Sequence, residues 1–544
     1  MKPGIFVAGI AATLSISALV TDARAAGLFH SERGVRGLAR GGAFVAGADD
    51  LGAIWYNPAG LTYAGTGFML DLGVLVHGAE YTRESQVTDS GGTVRNYRFP
   101  TASGTSAPLP SPTLAASITV GDRREWTLAL GIYAPYTPLS KWPETAPDGQ
   151  PSPQRYSLVS LDGTVLLDTG IYVAWHPVEP LRIGLGFNML VGSFQNLVDL
   201  NSNPSDRFLG APQDPAYDSL TLTRATVFTP SASAGITYEP AKFIRFGLSG
   251  HLPYWINAPA TLSVRLPTAA PFDNASVDGD GARVKFRLPG VIRAGIEVRP
   301  IDPLRVEVAY VYEAWSLHDT IDITPTGGLK NITGFPSPFS LPTIRIPRYF
   351  QDTHSIRLGG EYTAALGATT KLDIRLGGSI ETSAIPIPYV SALTLDALKG
   401  SVGVGLGLHL GDRWRFDLMY SHMIVPEVVV PAKDAAIPVI NPVQGNATKI
   451  EGVNGGTYSW HTDVIGLGFT FAFAPMPAKT EDPIPRPAAK PLPKRPVEKA
   501  DDDAAETKPA AGTPPPEPVK PPDPVPPVKP VKPKPGTRPS KPAH

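Results

Sequence analysis

The chain has 544 residues, with 54 Gly, 60 Pro, no Cys and a formal net charge of -1. Near-neutral charge argues against nucleic acid as a partner, because phosphate binding needs a basic face. The lack of Cys excludes disulfides, thiolate metal sites and a Cys nucleophile, while the length fits either several domains or one large all-β domain.

Residues 1–25 read as a secretory signal peptide. Lys2 supplies a positive start, Ile5 to Val20 an apolar stretch, and Ala23-Arg24-Ala25 a small-residue cleavage site. The apolar stretch is short for the ~30 Å of a bilayer core, and Asp22 and Arg24 follow at once.

Residues 26–64 follow neither a helix nor a strand period. Gly34, Gly37, Gly41 and Gly42 permit close backbone packing, and GADDLGAIWYNPAGL (47–61) holds an Asn57-Pro58 turn signal.

From residue 65 to 473 the pattern has period two. In RVKFRLPGVIRAGIEV (283–298), Val284, Phe286, Leu288, Ile292, Ile296 and Val298 share one parity, and Arg283, Lys285, Arg287, Arg293 and Glu297 the other. LRVEVAYVYEAW (304–315), SIRLGGEY (355–362), KLDIRLGGSIE (371–381) and RWRFDLMY (413–420) repeat it. This reads as strands with one apolar and one polar face, longer and more charged than those of a soluble sandwich. Fourteen strands are expected, beginning near residues 66, 112, 125, 155, 181, 219, 242, 282, 304, 351, 371, 396, 413 and 459. Short connections such as GDRRE and RPIDPLR alternate with long ones such as 82–111, 136–154, 319–350 and 424–458. Such alternation predicts an up-and-down membrane barrel with periplasmic turns and extracellular loops. The even count puts both barrel ends on the periplasmic side, and the last strand ends on aromatic Phe473.

Residues 474–544 are Pro-rich with spaced Lys and Arg, which reads as a disordered, extended periplasmic tail. Peptidoglycan or a periplasmic protein is a possible partner for its cations.

A fourteen-stranded barrel has an open lumen unless something plugs it, and residues 26–64 are the segment placed to do so. The run R-G-x-x-R-G-G-A, then A-D-D, then A-I-W-Y-N-P-A-G-L resembles the N-terminal hatch of the FadL/TodX family, outer-membrane transporters of long-chain fatty acids and aromatic hydrocarbons. The resemblance covers about residues 26–473, and the tail lies outside it. It implies a hatch in which Asp49, Asp50, Asn57, Pro58 and Ala59 have structural roles. It also implies ligand capture at extracellular loops, passage to an upper lumen pocket, and sideways release at a distorted third strand. Here that strand is EWTLALGIYAPYTPLSKW, with Tyr133 and Pro135 at the break. Pro135 lacks an N–H and must interrupt or end a ladder.

Phe194, Trp255 and Trp315 fall on the inward parity of the extracellular half of their strands and are the pocket candidates; an interface girdle is the alternative for each. Arg293, Glu297, Arg305 and Glu307 are expected to neutralise one another across the lumen wall. Arg245, Arg357 and Arg375 are candidates for a carboxylate head group. No H-x-x-x-H, H-E-x-x-H or G-x-S-x-G run is present, so no metal, cofactor or catalytic residue is expected.

The expectation is an all-β chain, a 14-stranded barrel in the outer membrane of a Gram-negative-type envelope, plugged by a hatch and serving passive uptake of fatty acids or hydrocarbons. The rivals are a barrel enzyme acting on lipid, a porin, and a barrel that tethers the envelope through its tail.

Overall fold

The computed structural model describes residues 32–88, 92–105, 108–136, 141–157, 159–203, 214–443 and 452–473. The signal peptide, the first residues of the hatch and the Pro-rich tail lie outside the described residues.

Alternating residues form a closed antiparallel barrel of 14 strands. They are β1 (Gly67–Thr88), β2 (Val94–Thr105, then Leu109–Val120), β3 (Trp126–Tyr136), β4 (Val165–Val178) and β5 (Leu181–Asn201). Next come β6 (Asp218–Ala241), β7 (Ile244–His251, then Tyr254–Arg265), β8 (Gly281–Leu288, then Val291–Ile301) and β9 (Leu304–Glu313, then Thr320–Pro325). The wall continues with β10 (Ile344–Pro347, then Thr353–Ala365), β11 (Thr370–Glu381), β12 (Lys399–Leu410), β13 (Trp414–Ile424, then Val428–Val430) and β14 (Gly456–Ala472). Closure comes from β1 against β14, in register from Gly67↔Ala472 to Arg83↔Gly456. Leu130, Ile171, Leu185, Ile296, Leu376 and Leu467 face outward, while Asp168, Arg182, Glu297, Arg375 and Asp417 face a polar lumen. Among the described residues no helix is long and apolar enough to cross a membrane.

An aromatic rim marks the periplasmic end, with Trp126 stacked on Trp175 and Trp414 packed on Phe471 at ring distances of 5.2 and 4.4 Å. Strand boundaries differ from the sequence expectation most at two connections, and the loops expected at 319–350 and 424–458 also hold the strand pieces Thr320–Pro325, Ile344–Pro347 and Val428–Val430. The segment expected as a loop at 82–111 is largely strand, because Val94–Thr105 pairs with Gly78–Thr88 in a tall hairpin. The fourth strand starts at Val165 rather than near residue 155, since residues 159–164 fold against β5 through the Ser160↔Leu197 bridge.

The larger correction concerns β7–β10. All four are interrupted at one level, at Leu252-Pro253, Pro289-Gly290, Ala314–Asp319 and Arg348–Asp352. Below the breaks Leu248, Ile292, Ile296 and Ile356 face lipid; above them Ile256, Val284, Phe286, Ile323 and Ile344 face inward. Val284, Phe286 and Leu288 therefore do not share a face with Ile292, Ile296 and Val298, although their parity is the same. The environment explains the inversion: a wall in lipid puts apolar groups outside, and a wall in water puts them inside.

Candidate functional site

The hatch is built from short pieces, α1 (Val35–Ala39), α2 (Ala53–Tyr56), a single 3-10 turn (Pro58–Gly60) and α3 (Leu61–Ala64), nearly all buried in the lumen. Asn57 caps that 3-10 turn by accepting from Ala59 N at 3.2 Å, with Pro58 supplying the fixed φ of its first position. The Asn57 amide also donates to Val45 O, Ile236 O and Thr237 Oγ1, which ties the turn to β6.

Asp49 and Asp50 both reach Arg36 Nη1, Asp50 at 3.3 Å, and otherwise anchor different wall arginines. Asp49 meets Arg36 at 2.5 Å and Arg305 at 2.6 Å; Asp50 meets Arg415 at 2.7 Å and accepts from Gly52 N. Burial acts to raise the Asp49 carboxyl, but Arg305 and Arg36 overcome it and hold the group well below the usual carboxylate range. Glu307 accepts the Val45, Ala46 and Gly47 N–H groups at 2.6–2.9 Å and pairs with Arg40 at 3.3 Å.

Inward glycines of the wall make this docking possible. A Cβ at Gly235 would lie 2.0 Å from Asn57 Oδ1, and one at Gly377 2.1 Å from the Arg40 carbonyl carbon. Close approach of the hatch backbone is a physical reason for glycine at these strand positions.

Most inward arginines already have protein partners. Arg245 pairs with Glu239, Arg357 with Glu32 and Glu381, and Arg375 with Glu361, Asp373 and Asp417. None of the three is therefore a free head-group receptor. Arg305 and Glu297 do pair across the wall at 2.8 Å, whereas Arg293 lies over the Trp55 ring at 4.3 Å instead of joining them.

The third strand leaves its neighbour early. The β2–β3 ladder ends at Thr113↔Tyr133, although Leu109–Pro112 still pair with β1, and the β3–β4 register shifts between Tyr133 and Tyr136. Side-chain alternation ends there too, with Tyr133, Ala134, Pro135 and Tyr136 all buried. The hatch touches this break directly: Arg33 Nη2 donates to Pro135 O, and Trp55 packs edge-on against Tyr133 at 5.2 Å.

Above the hatch lies an aromatic cluster. Phe194 packs on Phe286 at 5.0 Å, Phe286 on His318 at 5.8 Å, His318 on Phe350 at 5.2 Å, and Phe350 on Trp315 at 5.7 Å. Two of the three expected residues, Phe194 and Trp315, thus face inward at 5% and 0% exposure. Trp255 does not; it is 56% exposed on the outer face. The break at Leu252-Pro253 advances the β6–β7 register by one residue, from Ser233↔His251 to Ala225↔Ala260, and turns the strand over.

Sequence reasoning missed Arg348, which is 1% exposed beside this cluster. Its guanidinium lies 5.0 Å from the Phe350 ring centroid, and its Nε donates to His318 Nε2 at 3.1 Å. His318 must therefore carry its proton on Nδ1, from which it donates to Arg287 O. Burial pushes the Arg348 guanidinium down to about 9, and burial with the nearby Arg348 charge pushes His318 down to about 3. Nη1 and Nη2 of Arg348 have no hydrogen-bond partner among the described residues. The sequence signal was faint: R-I-P-R-Y-F breaks alternation, but nothing local marks Arg348 as unpaired. Further out, Leu262, Val264, Phe272, Leu329, Ile344 and Val443 line an apolar pocket at the extracellular end.

Several solved structures superpose on this barrel. A crystal structure of a Pseudomonas aeruginosa FadL homologue superposes with a TM-score of 0.63 at 15% identity, covering 82% of this chain and 100% of that one. The P. putida toluene transporter TodX gives 0.54 at 16% identity, covering 81% and 99% of the respective chains. The Ralstonia pickettii toluene transporter TbuX gives 0.50 at 15% identity, covering 82% and 99%. No curated protein matches the chain by sequence. Residues 16–473 match the family described as outer membrane protein transport protein (OMPP1/FadL/TodX). A plugged outer-membrane barrel with that match over most of its length belongs to the OMPP1/FadL/TodX family of outer-membrane transporters of hydrophobic compounds.

Proposed function

We propose that this chain carries amphipathic molecules with a long apolar tail and a carboxylate head, the class of long-chain fatty acids, passively across the outer membrane. The observation that carries this reading is Arg348, a buried cation among aromatic rings with both terminal nitrogens unpartnered among the described residues. A buried charge without a counter-ion costs several kcal/mol, on the order of what a bidentate carboxylate would return. Phe194, Phe286, Phe350 and Trp315 would hold the tail.

The ligand enters from the apolar pocket at the extracellular end and leaves sideways beside β3, where the ladder to β2 stops at Tyr133. Arg33 and Trp55 give the hatch a direct hold on that exit. The test is uptake of labelled oleate and of an alkylbenzene by cells with wild type, with Arg348→Met or without the protein. Wild type should accelerate oleate uptake, and Arg348→Met should remove most of that gain. Equal oleate and alkylbenzene uptake with and without the protein would sink the transport reading. Alkylbenzene uptake without oleate uptake would sink the carboxylate assignment alone.

A further inference from the structure

The inversion of β7–β10 that turns apolar groups inward also turns charge outward. On β8, Arg283, Lys285 and Arg287 occupy alternate positions and are exposed on the outer face. In an extended strand they stand about 6.8 Å apart. Lys285 is in register with Asp322 of β9, which is in register with Arg345 of β10, so a fourth exposed cation lies two strands away. Asp322 approaches Arg345 at 3.8 Å and sits between it and the β8 row. Among the described residues none of Arg283, Lys285 and Arg287 forms an ion pair; Arg283 Nη1 donates to Asn257 Oδ1 at 3.1 Å.

The height of this row is fixed by its surroundings. Immediately below Arg287 come Pro289-Gly290 and then Ile292, which begins the lipid-facing surface. Trp255 of β7 is in register with Arg287, and its exposed indole stands where aromatic side chains mark the boundary between hydrocarbon and head groups. The cations thus continue upward from the lipid contact surface rather than lining the lumen or the loop pocket.

The geometry points to a binding site for the phosphate groups of an anionic outer-leaflet lipid on the outer face of β8, with Arg283, Lys285 and Arg287 as its donors. Tails of such a lipid lie against Leu248 and Ile292, and its phosphates reach the row directly above. This site is independent of the substrate assignment, since none of its cations faces the lumen.

The test uses the full-length protein purified in mild detergent and measures retained lipid by native mass spectrometry. The probes are a bis-phosphorylated lipid A and the same lipid after phosphatase treatment. Relative to wild type, R283Q/K285Q/R287Q should lose phosphorylated-lipid affinity by roughly 100-fold, from about fivefold for each of the three cations near a membrane surface. The charge-preserving R283K/K285R/R287K should stay near wild type, and heat-modifiable gel migration checks that both are folded. R98Q removes an exposed cation on β2 and should leave retention unchanged. Equal retention by wild type and the triple Gln variant would overturn the proposal. So would equal retention of the dephosphorylated lipid, or an R98Q loss as large as the triple variant's. Displacement by millimolar inorganic phosphate alone would reject a lipid occupant.

Discussion

Five arginines at the level of the hatch and Arg348 above it hold their positive charge in opposite ways. Below, Arg36, Arg40, Arg305, Arg375 and Arg415 each meet one or more carboxylates at 3.3 Å or less, and hatch and wall are joined through them. Above, Arg348 is buried among rings with a neutral His318 as its hydrogen-bond partner. A guanidinium with protein carboxylates belongs to the scaffold; Arg348 has none among the described residues, and both of its terminal nitrogens are left for a ligand. Burial alone does not separate the two cases, because both levels exclude water.

The largest effect should come from unbalancing the lower level. Glu307→Gln removes the charge that faces Arg40 and weakens acceptance from three hatch N–H groups, so hatch docking should weaken by about 3–5 kcal/mol. Ion conductance of reconstituted protein should rise, and hatch residues should become protease-sensitive. Unchanged conductance and protection would break the comparison from below.

Next, Gly377→Ala puts a methyl 2.1 Å from the Arg40 backbone and should cost about 1–3 kcal/mol of hatch docking without altering any charge. Its readout is the same conductance assay, and silence there would mean the wall yields more easily than its packing implies.

The upper level is sharpened by the charge of the ligand. Arg348→Met should weaken oleate binding by about tenfold or more, since it removes the cation that a carboxylate would pair with. Binding of oleyl alcohol, which needs no cation, should stay near wild type. Equal losses for the two ligands in a dye-displacement titration would remove Arg348 from the site.

The smallest effect separates inner from outer aromatics. Phe194→Ala should weaken oleate binding by roughly tenfold, whereas Trp255→Ala, which changes the outer face, should change it by less than about twofold. Comparable losses would return Trp255 to the pocket.

Legibility followed the range of the interactions. The period of two, the turn chemistry and the Asn57-Pro58 corner act between near neighbours, so they could be read directly from residues such as 304–315 and 57–59. Trp255 was misplaced because a single proline break reverses the facing that parity assigns, and parity carries no record of the reversal. Arg245, Arg357 and Arg375 looked available because their partners Glu239, Glu32 and Asp417 come from other strands or from the hatch.

By itself, then, the sequence determined the barrel, its plug and the two-sided character of its wall, since hydrogen bonding in lipid leaves few other ways to arrange such a pattern. Only the tertiary structure decided which level of the wall faces lipid and which faces water. It also decided which charges are matched and which aromatic rings meet around Arg348. Charge matching and desolvation depend on distances between residues remote in the chain, as between Arg36 and Glu361, and no local pattern encodes them.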